Sequence, residues 1–67
     1  MEAEPILTTQ QTSELANIPI PTLRWWRHQG VGPRSFRLGA RKVMYRRSDV
    51  LAWLDQQYNA DAPKGAA

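Results

Sequence analysis

Proline and glycine decide where helices can begin and end in the first half of this chain. Pro19 and Pro21 bracket Ile20, and Gly30 closes the stretch that follows. Proline lacks a backbone N–H, so it fits a helix only in the first turn, where that N–H would be unpaired anyway. A helix is therefore expected from near Ile20 to His28 or Gln29, with Gly30 as its left-handed end. Upstream, Thr8-Thr9-Gln10-Gln11 matches a capping box, and Leu7 stands where a hydrophobic staple would. This predicts a first helix from Thr9 to Ala16, with Thr12, Leu15 and Ala16 on one side. Asn17 ends it in the left-handed region, and Ile18 closes a short turn. Two short helices joined by about three residues form a helix-turn-helix.

A helical wheel at ~100° per residue sorts the second helix into faces. Ile20, Leu23, Trp26 and Gly30 cluster as a core face, with Arg27 at its edge. Pro21, Trp25 and His28 face away, and Thr22 and Arg24 sit on the shoulders. Val31-Gly32-Pro33 is a break. Two alternating runs follow, with Phe36 and Leu38 on the same side as Val43 and Tyr45, and Met44 and Arg46 opposite. Gly39-Ala40-Arg41-Lys42 joins them as a four-residue loop, a β-hairpin with a basic tip. Ser48-Asp49 reads as cap and first-turn acid of a third helix. Val50, Trp53, Leu54 and Tyr58 give that helix a buried stripe, and it fades by Tyr58 or Asn59. The expected core is Leu15, Leu23, Trp26, Leu38, Val43, Tyr45, Val50, Trp53 and Leu54. The division expected is a flexible N-terminus over 1–5, one domain over 6–58, and a disordered tail over 59–67.

Charge is segregated along the chain. Arg24, Arg27, Arg34, Arg37, Arg41, Lys42, Arg46 and Arg47 put +8 into residues 24–47, with no acid among them. The remainder carries −5, so the net charge of +3 conceals a basic block with acidic flanks. A block of one sign is the footprint of a polyanion, most often nucleic acid. The bland alternative is a charge run on a solvated face.

Several classes are disfavoured. With no cysteine and His28 as the one histidine, neither a disulfide framework nor a zinc site of the usual ligands is expected. No apolar run of ~18 residues is present to span a membrane, and MEAEPILTTQ lacks the apolar core of a secretory signal, so a cytoplasmic address is expected. There is no Ser/His/Asp set, no Gly-rich phosphate loop and no close carboxylate pair, so catalysis is not expected. Nor is a cofactor or a small-molecule substrate.

Three pieces in order carry a family resemblance. ILTTQQTSELANI resembles the first helix of the small excisionases of phages and related prophage regulators, which belong to the MerR-like superfamily. TLRWWRHQG resembles their recognition helix, through Leu23, Trp26 and Gly30. FRLGARKVMYRRSDVLAWL resembles their wing and last helix, through Gly39, Arg41, Lys42, Tyr45, Arg47, Asp49 and Trp53. The likeness covers residues 6 to about 57. It departs at Pro19, where Ser or Thr usually caps the helix, and mildly at Ser13, where alanine is common. The fold implied is mainly α with a small β-hairpin, a winged helix-turn-helix in the order α-α-β-β-α.

The function implied is sequence-selective binding of double-stranded DNA as an excisionase, or recombination directionality factor. Such proteins bend attachment-site DNA cooperatively and turn a tyrosine or serine integrase toward excision. Head-to-tail self-association along DNA is expected, because one domain this small grips only a short site. On winged-helix geometry Pro21, Thr22, Arg24, Trp25 and His28 face the major groove. Arg24 suits either a guanine or a phosphate, and Thr22 a phosphate or a thymine methyl. His28 either bonds a phosphate or stands idle. Trp25 packs on DNA, on a neighbouring protomer, or beneath Arg34 or Arg37. Arg41 and Lys42 suit the minor groove. Arg46 and Arg47 suit phosphates, as do Arg34 and Arg37 unless these pair with Glu14 or Asp55. The alternatives are a prophage transcription regulator with the same grip, a terminase-type DNA-recognition domain, and an adaptor whose basic face meets an acidic protein.

Overall fold

A computed structural model of the chain describes residues 5–61. The elements are β1 (Ile6–Thr8), α1 (Thr9–Ala16), α2 (Ile20–Gln29), β2 (Phe36–Leu38), β3 (Lys42–Arg46) and α3 (Arg47–Ala60). Three helices thus pack with a small antiparallel sheet of order β1-β3-β2. The expected N-terminal and C-terminal loose segments fall largely at 1–4 and 62–67, outside the described residues.

Local signals set both helices of the first half. The Thr8 hydroxyl accepts from the Gln11 N–H at 3.0 Å, and the Gln11 side chain accepts from the Thr8 N–H at 2.9 Å. Both donors would otherwise be orphans at the start of α1. Asn17 ends the helix at φ 57, and Gly30 ends α2 at φ 75. Pro19 offers α2 no side-chain cap. The turn is secured from the other side by Ser13. Its hydroxyl donates to the Ile18 carbonyl, and its carbonyl accepts the Ile18 N–H at 3.1 Å. The departure at Ser13 therefore carries a structural task.

Leu23, Tyr45 and Val50 are the fully buried apolar side chains among the described residues, joined by Thr12. The Thr12 hydroxyl is satisfied by the Thr8 carbonyl at 2.9 Å. Trp26 of α2 meets Trp53 of α3 with ring centroids 5.4 Å apart and a 51° tilt. Both rings are half-buried, as are Val43 and Leu54. Gly32, at φ 83, lies flat on Trp26: a Cβ there would come within 2.9 Å of Trp26 Cε3. Gly32→Ala combines a disfavoured backbone with that clash and is expected to cost about 2 kcal/mol, measured by urea unfolding. At Gly30 the same change meets open space and carries the backbone penalty alone.

The hairpin corrects the sequence reading. The pairs are Phe36↔Met44, Arg37↔Val43 and Leu38↔Lys42. The loop is therefore three residues, Gly39 to Arg41, with Lys42 already in β3. Shifting a register by one residue moves every side chain to the other face. Phe36 and Leu38 consequently share a face with Met44, while Arg37 shares one with Val43 and Tyr45. Leu38, expected in the core, is 49% exposed. Leu15, also expected there, is 40% exposed, because Thr12 occupies the inner line of α1.

Two further features were not expected. Ile6–Thr8 pairs with Arg46–Met44 as a third strand, a segment too short for alternation to reveal. The helix α3 begins at Arg47 and not at a Ser48 cap, because the Arg47 N–H is taken by the Pro5 carbonyl at 3.1 Å. The strand runs straight into the helix there. At its other end α3 continues to Ala60, which places Asn59 and Ala60 in the helix and leaves Tyr58 exposed.

Candidate nucleic-acid interface

The helix α2 presents two strips to solvent. Arg24 and Arg27, one helical turn apart, face the hairpin. Pro21, Trp25 and His28 point directly away from the core, and all three are exposed. Thr22 is half-buried at the margin of that strip. Trp25 keeps 60% of its surface accessible, and its indole lies beside the His28 ring at 6.3 Å with a 32° tilt. Among the described residues no guanidinium stacks on Trp25, which removes the reading that placed it beneath Arg34 or Arg37.

Between α2 and the hairpin lies a cleft of about 350 Å³ lined by Thr9, Arg24, Arg27, Arg41, Val43 and Tyr45. This is where α2 and the hairpin loop meet. Three guanidiniums line it, with no carboxylate in the lining among the described residues. Arg24 and Arg41 have no ion-pair partner among the described residues, and Asp55 is engaged instead by Asn59 at 3.3 Å. Cations converging in this way repel one another until an anion arrives. Tyr45 forms the floor. Burial pushes its phenol above the ordinary range and the nearby Arg27 charge pulls the other way. A raised phenol stabilises the fold fully below its unfolded pKa, and that contribution is lost only in strong alkali, as pH climbs past the ordinary tyrosine value of 10.0.

Arg27 belongs to this site, although the helical wheel placed it at the edge of the core. Its Nε donates to the Ser35 hydroxyl at 3.2 Å, which restrains the side chain where it borders the cleft. The spacing of three from Arg24 was the available signal. The same side chain borders a second, shallower hollow in the loop after α2, lined with Gly30 to Ser35.

The basic pair of the tip divides. Arg41 lines the cleft, whereas Lys42 lies across from Leu38 on the other face of the hairpin. Arg37, across from Val43, is on the cleft side. Arg46 stands at the far end of β3, roughly 14 Å from Lys42 along a strand rising ~3.4 Å per residue, Arg47 follows it as the first residue of α3, and both are outside the cleft lining. Arg34 is exposed beside the second hollow and pairs with neither Glu14 nor Asp55. Among the described residues no helix is long and apolar enough to cross a membrane.

A family model described as "Helix-turn-helix domain" matches residues 6–58, from β1 through most of α3. No curated protein and no solved structure gives a significant match.

Proposed function

The chain belongs to the helix-turn-helix domain family and is a DNA-binding protein, and from that premise we propose that it acts as an excisionase, a recombination directionality factor without catalysis of its own. The observation that carries this reading is the cleft: Arg24 and Arg27 of α2 and Arg41 of the hairpin share one surface with no ion-pair partner for Arg24 or Arg41 among the described residues. A helix fits the major groove, and a small hairpin tip fits the adjacent minor groove. Gripping both grooves at once favours bent DNA, since the bend brings more of the duplex against the protein.

One domain with a single short recognition helix contacts few base pairs, so useful affinity requires several copies side by side. The sheet order leaves β1 and β2 as its two edges, on opposite sides of β3. Contact between unlike edges of successive copies is head-to-tail and need not close. Electrophoretic titration of DNA bearing several sites should therefore show cooperative filling and retarded mobility typical of bending. Footprinting should protect repeats beside an attachment site, and added protein should shift an integrase toward excision. Independent filling, or protection confined to a promoter, would replace this reading with that of a prophage transcription regulator.

A further inference from the structure

One sugar–phosphate strand must pass between a helix seated in the major groove and a hairpin tip seated in the neighbouring minor groove. The three-arginine cleft lies at that crossing. Its lining adds Thr9, the first residue of α1. The capping box takes up the N–H groups of Thr8 and Gln11 and leaves those of Thr9 and Gln10 at the positive end of the helix. No acidic residue occupies that first turn. Arg27 lines the cleft with its Nε tied to Ser35, so less side-chain freedom is lost when an anion arrives. Tyr45 and Val43 supply a buried and half-buried floor that limits water beneath an ion seated there.

We propose that this cleft seats a single backbone phosphate of the bound duplex, gripped by Arg24, Arg27 and Arg41 against the first turn of α1. The proposal rests on the DNA-binding reading and refines it. This assigns Arg24 to the backbone and not to a guanine, because it lines the cleft that faces the wing. Sequence discrimination then falls to the outward strip of Pro21, Trp25 and His28. An exposed indole there suits the methyl group of a thymine. A free phosphate or a nucleotide carries the same oxyanion chemistry, and the experiment below separates these sources.

A duplex carrying the binding site is prepared with a neutral methylphosphonate in place of one phosphate at a time. Wild type should lose about tenfold or more in affinity at one position, on the strand between the two groove contacts. At that position Arg24→Ala should lose nothing further. On unmodified DNA Arg24→Ala should weaken all sequences alike and lower the salt slope by about one. Arg24→Lys, which keeps the charge, should recover part of the loss. Trp25→Ala should instead change base preference, and replacing thymine by uracil should weaken wild type but not this variant.

Relaxed preference at one base pair in Arg24→Ala, or equal loss at every methylphosphonate, would overturn the assignment. Inorganic phosphate alone, followed by the amide resonances of Thr9 and Gln10, should not saturate the cleft. Saturation, with no sensitive methylphosphonate position, would give the cleft to a small anion and overturn the assignment to DNA. If wild type fails to bind unmodified duplex at low salt, the DNA reading itself falls, and this refinement with it.

Discussion

Leu23→Ala is expected to lower the melting temperature by about 15 °C or more, at ~4–8 °C per kcal/mol for a domain of this size. Leu23 is 1% exposed and stands at the centre of the inner face of α2. Truncating a buried leucine removes its transfer free energy and leaves a cavity, together about 3 kcal/mol. A chain of this length holds only about 3–10 kcal/mol in total, at ~0.05–0.15 per residue. The fully buried apolar set among the described residues is Leu23, Tyr45 and Val50, so no large reserve of core can relax around the gap. The same substitution would loosen α2 against α1 and so misplace the arginines that face the wing. Thermal melting by circular dichroism checks the result. A fall of less than about 3 °C would show that the packing around Leu23 closes, and that α2 is held chiefly by its turn.

Removing the wing-tip cations should produce the largest change in binding. Arg41→Ala with Lys42→Ala is expected to weaken duplex binding by about thirtyfold or more, with little change in sequence preference and a salt slope lower by about two. The two residues should not contribute equally. Arg41 lines the cleft beside Arg24 and Arg27, while Lys42 projects from the opposite face with Leu38. Arg41→Ala alone should account for most of the loss, and Lys42→Ala alone for a few-fold at most. Fluorescence anisotropy across a salt series measures both quantities. Equal single losses would mean that the tip lies in the minor groove with both faces against DNA, and that the cleft has no special role.

The helix-turn-helix was legible because each of its boundaries is written in a few adjacent residues. The Thr8–Gln11 box, Asn17, the pair Pro19 and Pro21, and Gly30 each act through their own backbone, and each occurs at the end predicted for it. The outward strip of Pro21, Trp25 and His28 followed from helical geometry alone. The charge segregation marked residues 24–47, which hold the three arginines of the cleft, but it could not sort its cations. It placed Arg46 and Lys42 in one group with Arg41, whereas alternation along β3 and the position of the loop separate them. Arg27 was missed because a residue at the edge of a core face can turn either way. Ser35, eight residues on, decides which, and no local rule connects the two.

What the sequence determined by itself is the pair of short helices, their ends and the face that α2 turns to solvent. Those depend on dihedral preferences and capping groups within one turn of each boundary. Tertiary structure decided the register of the hairpin, the third strand and the membership of the cleft. Each of these is a choice between near-equal local conformations of segments distant in sequence. Burying Tyr45 against the helices selects one register, and that selection carries Arg37 to one face and Leu38 to the other. A one-residue difference in loop length is nearly invisible in composition. In space it separates a cation aimed at the cleft from a cation aimed away from it.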